Sequence, residues 1–208
     1  MFQMVAFDMD GTIADTIPMC IEAFRNSVSP YTDHLLSEKE VLQAFGLNEV
    51  GMVKAVAGKN WEAAIQDFYL EYALLHDKVT EPFPGILNLL AYLKQKKIIV
   101  ALITGKGEKS CMISLEKLGL LEIFDEILYG SEVSPNKKEN IEVLLKKYSI
   151  SREHFCYIGD TVQDIKSCNA AGVVCFSAAW QKSSDVAALK NENPKYVFYY
   201  VRDLYQFL

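Results

Sequence analysis

The chain has 208 residues, with 21 basic and 27 acidic side chains and a formal net charge of −6. Half of the residues are hydrophobic, which is typical of a packed globular protein and argues against a disordered chain. The acidic balance argues against nucleic-acid and membrane-surface partners, because both require a basic face toward their phosphates. We therefore expect neither as a partner.

No apolar run is long enough to span a bilayer, and the N-terminal segment lacks the basic and apolar regions of a signal peptide. The five cysteines are scattered without paired spacing, and with the three histidines they form no zinc motif. These features predict a cytoplasmic protein with free thiols. The sequence leaves the oligomeric state open.

The first predicted strand covers residues 3–8 and ends in a DMDGT motif that begins at Asp8. In an extended backbone, residues i and i+2 point the same way, so the carboxylates of Asp8 and Asp10 can converge. Ligands of α/β proteins gather at the carboxyl ends of strands. The alternative is a pair of solvated loop acids. If the two carboxylates do converge, a cation or a proton has to offset their repulsion.

Residues 15–80 follow with no convincing strand. Three helical segments fit this region, at Met19–Val28, Glu38–Phe45 and Trp61–His76, and Ser37 is a candidate N-cap of the second. We interpret the region as a helical cap domain inserted into an α/β core formed by residues 1–14 and 81–208.

The α/β pattern resumes after residue 80. Helical patterns cover 84–93, 108–118 and 137–148, and further strands are predicted at Ile98–Ile103, Ile127–Tyr129, Phe155–Ile158, Val173–Phe176 and, as an edge strand, Tyr196–Tyr200. Several of these strands are continuously apolar, as strands buried on both faces are. The alternation predicts a Rossmann-like, doubly wound parallel sheet.

Two more predicted strands end in polar motifs. Thr104 and Gly105 precede a helix, and a hydroxyl, a glycine amide and a helix N-terminus together favour an anion site. Asp160 and Asp164 follow the strand at Phe155–Ile158 and lie four residues apart, on one side if the turn is helical. Taken singly, Thr104 or these acids could be ordinary helix caps.

In combination and in this order, the motifs resemble those of the haloacid dehalogenase superfamily of phosphohydrolases, in its subclass with a small helical cap. The resemblance covers the whole chain, and the Leu-Ile-Thr-Gly-Lys and Phe-Pro-Gly-Ile-Leu segments are most similar to phosphoglycolate phosphatases and their pyrophosphatase and sugar-phosphate relatives. It implies a phosphatase that hydrolyses a small, phosphoglycolate-like phosphomonoester through an aspartyl phosphate. Alternatives are a phosphomutase of the β-phosphoglucomutase type, an inorganic pyrophosphatase and, less favoured, a non-catalytic binding protein.

The resemblance also implies roles for the acids. Asp8 is expected to be the nucleophile, and Asp10 the general acid and then the general base. Mg²⁺ is the expected cofactor, held by Asp8, the main-chain carbonyl of Asp10 and Asp160, with Asp164 supporting them from behind. The presence of Asp10 favours phosphoester over carbon–halogen cleavage.

Thr104 and Gly105 are implied to bind phosphoryl oxygens, and a lysine is implied to neutralise charge in the transition state. Many relatives place this lysine directly before a proline, which this chain does not do. Lys137 and Lys138 therefore both qualify, and we favour Lys137 from its spacing to Gly159.

The cap supplies three candidate cations for a second anionic group of the substrate, Arg25, Lys54 and Lys59, although each is more simply a solvated surface residue. Its aromatic and aliphatic residues at helical spacing, such as Trp61 and Tyr72, indicate packing rather than a pocket.

Overall fold

The protein is described by a computed structural model that covers residues 1–208. Six strands are present: β1 (Met4–Phe7), β2 (Ile99–Ile103), β3 (Glu126–Leu128), β4 (Phe155–Gly159), β5 (Val174–Ala178) and β6 (Val197–Phe198). They form one sheet in the order β3-β2-β1-β4-β5-β6, and every pair is parallel. The predicted Rossmann-like α/β fold is confirmed.

Alternate residues of β1 enter two separate cores on opposite faces of the sheet. Val5 and Phe7 join a core with α5 (Ile86–Gln95) and α6 (Glu108–Lys117), whereas Met4 and Ala6 join another. The helices on that second face are α7 (Lys137–Tyr148), α8 (Val162–Ala171) and α9 (Val186–Glu192). Because all four β1 residues are fully buried, the strand is continuously apolar in sequence.

The register of the central strands places the polar motifs together. Phe7 of β1 pairs with Leu102 of β2 on one side and Ile158 of β4 on the other. The carboxyl ends of these strands therefore meet at one edge of the sheet, where Asp8 and Asp160 follow. The strand order reverses between β1 and β4, and such a switch point is where open α/β sheets bind ligands.

The segment between β1 and α5 is helical. It contains α1 (Ile17–Val28), α2 (Glu38–Ala44), α3 (Glu49–Ala57) and α4 (Trp61–Leu75). These helices share a third apolar core, built around residues such as Phe24, Phe68 and Tyr72. Ser37 caps α2 in a reciprocal capping box with Glu40, as its sequence suggests. The domain limits at 15 and 80 stay a prediction.

Two elements differ from expectation. Helix α3 was not predicted, because its apolar residues lie all round the helix and form no single stripe. The edge strand is shorter than 196–200, since Tyr199 and Tyr200 are exposed and the chain then turns into a 3₁₀-helix at Val201–Gln206.

None of the helices combines the length and the apolar character needed to cross a bilayer.

Candidate active site

The loop after β1 folds back tightly on itself. Met9 accepts main-chain hydrogen bonds from Thr12, Ile13 and Ala14, and Gly11 adopts a positive φ of 74°. A β-carbon on Gly11 would overlap Asp160 Oδ2 and the Gln181 side chain. This glycine is therefore required both by the turn and by the approach of the carboxylate that follows β4.

Lys137 lies between two buried carboxylates. Its Nζ is 2.7 Å from Asp8 Oδ2 and 2.6 Å from Asp164 Oδ1. Burial alone would lower the pKa of Lys137, but the charges of Asp164 and Asp8 outweigh it and the pKa rises above its usual value. The lysine therefore stays charged. Lys138 instead forms a surface pair with Glu142 at 3.1 Å, so the geometry favours Lys137 as the lysine of the site.

Asp164 already has donors on both carboxylate oxygens. Besides Lys137, the Tyr157 hydroxyl lies 3.2 Å from Oδ1. The main-chain N–H and hydroxyl of Thr161 donate to Oδ2, at 3.0 and 2.6 Å, and Thr161 in turn caps α8. Because its lone pairs are engaged, Asp164 is suited to orienting Lys137 rather than to binding a ligand itself.

Asp8 and Asp160 have spare lone pairs. Oxygens of Asp8, Asp160 and Asp164 all lie within 4.8 Å of one another. Asp160 accepts only a long bond from the Thr12 hydroxyl, at 3.3 Å. Burial, followed by the charges of Asp8 and Asp164, raises the pKa of Asp160 well above its usual range. No group in the structure donates to the Asp10 main-chain oxygen.

These donors fit a hard divalent cation. Crowded carboxylates and a free carbonyl are the oxygen ligands that Mg²⁺ prefers, and a positive ion would relieve their mutual repulsion. Burial also raises the pKa of Asp8 to about 7, with Asp164 and Asp10 adding to the effect and Lys137 opposing it. Keeping these buried carboxylates ionised so close together costs free energy, and a bound cation would offset that cost.

The end of β2 supplies the anion-binding groups. Thr104 is fully buried, and its hydroxyl oxygen accepts from the Lys106 N–H at 3.2 Å, which leaves its proton free to donate. The Gly105 N–H donates to no other group in the structure. Gly130 packs so closely that a β-carbon there would overlap the Gly105 carbonyl. The loop thus has a hydroxyl and an amide that are free to donate, and Gly105 lines the same cavity as Asp8.

Asp10 is surrounded by groups outside the predicted set. Its Oδ1 accepts from the Thr16 hydroxyl at 2.5 Å and lies 3.2 Å from Lys106 Nζ. Lys106 is only 4% exposed, and its ammonium also contacts Cys20 Sγ at 3.3 Å. Burial opposes its charge, but Asp10 and other neighbours raise the pKa of Lys106 well above its usual value.

Glu49, the first residue of α3, joins helices α1–α4, called the cap helices from here on, to α6 of the α/β part. Its carboxylate accepts from the Gly107 N–H at 2.7 Å and the Ser110 hydroxyl at 2.5 Å, at the N-terminus of α6. Lys106 Nζ is 3.9 Å away. Nearby, a β-carbon on Gly51 would overlap the main-chain oxygen of Glu132, so the helices approach the core closely here.

A cavity of about 420 Å³ opens from these groups. Asp8, Asp10, Gly105, Lys106 and Lys137 line one side of it, and residues of the cap helices line the other. None of the three candidate cap cations lines it.

A family model described as haloacid dehalogenase-like hydrolase matches residues 5–178. The chain belongs to the haloacid dehalogenase-like hydrolases. Phosphoglycolate phosphatase 1 of Pseudomonas aeruginosa is 29% identical over 97% of this chain and 78% of its own length. Pyrophosphatase PpaX of Oceanobacillus iheyensis is 25% identical over 96% and 94% of the two chains. CbbY from Rhodobacter sphaeroides, crystallised in complex with phosphate, shares the fold with a TM-score of 0.79 over 98% and 96% of the chains at 18% identity.

These relatives confirm the predicted family and the predicted enzyme class, a haloacid dehalogenase-type phosphatase similar to phosphoglycolate phosphatases. The structure brings together six of the seven residues singled out in the sequence: Asp8, Asp10, Gly105, Lys137, Asp160 and Asp164. Thr104 is the buried residue directly before Gly105.

Two residues of the site, Lys106 and Glu49, were not predicted from the sequence. Lys106 stands directly after Gly105, but a lone lysine at the start of a helical segment looks like a surface residue. Glu49 gives no signal at all, because its importance depends on how the cap packs against the core.

Proposed function

We propose that this haloacid dehalogenase-like hydrolase is a Mg²⁺-dependent phosphatase that cleaves small phosphomonoesters through a phosphorylated Asp8. The observation that carries the proposal is the buried Asp8 carboxylate, which faces the cavity beside Lys137, 2.7 Å away, and close to Asp160. A nucleophilic carboxylate, a fixed cation and an adjacent acid are what such a reaction requires.

In the first step, an oxygen of Asp8 attacks phosphorus, and the bond from phosphorus to the ester oxygen breaks. Asp10 gives its proton to the departing alcohol. In the second step Asp10 takes a proton from water, the water oxygen attacks phosphorus, and the bond to Asp8 breaks, which releases phosphate. Thr16 and Lys106 hold the Asp10 side chain for both proton transfers.

Lys137 and the loop after β2 stabilise the charge on the phosphoryl oxygens. Lys137 is already fixed by Asp164, so its ammonium needs no reorganisation during the reaction. The Thr104 hydroxyl and the Gly105 amide are the free donors on the other side. A fixed cation or hydrogen-bond donor of this kind is worth about 10²- to 10³-fold in rate.

Asp8, Asp160 and the Asp10 carbonyl would hold Mg²⁺, with Asp164 behind them. When bound, the ion supplies positive charge that screens the carboxylates from the incoming phosphate. The helices of residues 15–80, proposed as a cap domain, cover the site and exclude water from it.

The free state of all five cysteines supports a cytoplasmic location as part of the same proposal.

The test is phosphate release from a panel of phosphomonoesters with Mg²⁺, repeated in EDTA. We expect release that stops in EDTA and stops in Asp8→Asn, whereas Asp33→Asn, a change at a 97% exposed acid, behaves like the wild type. Full activity of Asp8→Asn would refute the nucleophile. Isomerisation of a sugar phosphate without phosphate release would favour a phosphomutase instead, and release from pyrophosphate alone would favour a pyrophosphatase.

A further inference from the structure

The wall of the cavity that faces Asp8 is apolar. Its cap residues are mainly Ile17, Phe24, Phe45, Leu47, Met52 and Phe68. Phe24, Met52 and Phe68 belong to the apolar core of the cap helices, so they serve packing and lining at once. The part of the substrate that points away from the phosphoryl group must pack against this surface.

The three cap cations are all engaged or exposed away from the cavity. Arg25 Nε donates to the Leu36 carbonyl at 2.8 Å. Lys54 pairs with Glu132 at 2.5 Å and lies over the Trp61 ring. Lys59 is exposed on the short helical turn between α3 and α4. The cap therefore offers no positive charge to a second anionic group.

Lys106 is the only cation at this end of the cavity, and it is already neutralised. Its Nζ lies between Asp10, at 3.2 Å, and Glu49, at 3.9 Å. Glu49 offsets the charge of Lys106, so this end carries no net positive charge even while Asp10 holds the proton that it gives to the leaving alcohol. Glu49 is also the only ionisable acid that the cap contributes to the lining. A carboxylate or a second phosphate on the substrate would lose its hydration here and find no unpaired positive charge in return.

The cavity is also larger than the smallest candidate substrates. Phosphoglycolate and pyrophosphate each have about nine non-hydrogen atoms, which fill about 270 Å³ even at the roughly 30 Å³ that a water molecule occupies in the liquid. The cavity of about 420 Å³ leaves space for a larger group against the apolar wall.

We propose that the substrate is a phosphomonoester whose alcohol part is uncharged and has a largely apolar face. The inference rests on the proposed phosphatase function and narrows its substrate class. Uncharged polar side chains of the lining, Asn136, Thr161 and Gln163, can still bind hydroxyl or amide groups of such an alcohol.

The test compares two esters that differ only in the group at the far end of the ring, an apolar methyl in 4-methylbenzyl phosphate and a charged carboxylate in 4-carboxybenzyl phosphate, with phosphoglycolate and pyrophosphate alongside. We expect kcat/KM for 4-methylbenzyl phosphate to exceed kcat/KM for 4-carboxybenzyl phosphate by on the order of 100-fold. Equal or faster hydrolysis of the carboxylate, or a preference for phosphoglycolate, would overturn this inference alone. No release from any ester with Mg²⁺ would overturn the proposed function, and the inference with it.

Glu49→Gln tests the origin of the preference. The Gln amide keeps an acceptor for α6 but removes the negative charge that offsets Lys106. The ratio of kcat/KM between the methyl-substituted and the carboxyl-substituted ester should therefore fall about tenfold. Glu132→Gln is the matched control, because Glu132 lies at the same junction but outside the cavity lining, and it should leave this ratio unchanged. If the ratio of kcat/KM fell equally in Glu49→Gln and Glu132→Gln, the role given to Lys106 and Glu49 would be contradicted. The wild-type comparison decides the substrate class even if Glu49→Gln does not fold.

Discussion

Replacing Asp8 with asparagine should stabilise the metal-free protein at neutral and alkaline pH while abolishing its activity. Burial raises the pKa of Asp8 from 3.8 to about 7, and the charges of Asp164 and Asp10 add to this effect although Lys137 opposes it. Keeping Asp8 ionised in the folded, metal-free protein is therefore costly. Asparagine has nearly the same shape and carries no charge, so it removes this cost.

A pKa of about 7 in the folded state against 3.8 in the unfolded state corresponds to about 4 kcal/mol at pH values above both. Because the folded state binds the proton more tightly, the protonated group favours folding below pH 3.8, and this advantage is lost as the pH rises through about 7. The stability gained by Asp8→Asn should thus be near zero at low pH and grow across this window. The loss of a hydrogen bond to Lys137 will reduce the gain.

Urea denaturation in EDTA, at about pH 4 and about pH 8, measures the difference in the free energy of unfolding between wild type and variant. Asp33→Asn is the control, because that acid is 97% exposed and should show no comparable gain. The reasoning would be refuted if Asp8→Asn did not raise the free energy of unfolding at about pH 8, or raised it equally at both pH values.

Three further predictions concern groups close to the nucleophile. Lys137→Met should lower kcat by about 10²- to 10³-fold, whereas Lys138→Met, on the surface, should leave it near the wild-type value in the same phosphate-release assay. Gly11→Ala should lower the free energy of unfolding by about 1–2 kcal/mol through its positive φ alone, and should weaken Mg²⁺ binding by displacing Asp160. Mg²⁺ at 100 times its Kd should stabilise the wild type by about 2.7 kcal/mol, seen as a rise in Tm, and this rise should be largely lost in Asp160→Asn.

The core of the site could be predicted because its residues are tied to strand ends. Asp8, Thr104 and Asp160 directly follow buried strands, and parallel strands bring their carboxyl ends to one edge whatever the details of packing. The choice between Lys137 and Lys138 was only a preference in the sequence. Both open the same helix, and only the direction of each side chain separates them.

The surroundings of Lys106 and Glu49 could not be predicted, because they depend on how the cap helices pack against the α/β part of the chain. Glu49 begins a helix with no clear apolar stripe, and it reaches α6 across a junction that no spacing in the sequence encodes. The environment of Lys106 depends in turn on Glu49 and on Cys20 of α1. Contacts between a cap and a core are tertiary, and local patterns carry little information about them.

The two lysines divide the site into ends of different charge. Around Lys137, the three carboxylates of Asp8, Asp160 and Asp164 leave a formal charge of −2, which one divalent cation would bring to zero. Around Lys106, Glu49 offsets the ammonium, and Asp10 adds no charge while it carries the proton for the leaving alcohol, so no unpaired cation remains at this end. With Mg²⁺ and Lys137 beside it, an anionic phosphoryl group would be better tolerated at Asp8 than under the cap, where it would find no unpaired cation. These charges would allow an acidic protein to bind a phosphate ester. They would also set the orientation of the bound ester, with its uncharged end against the cap.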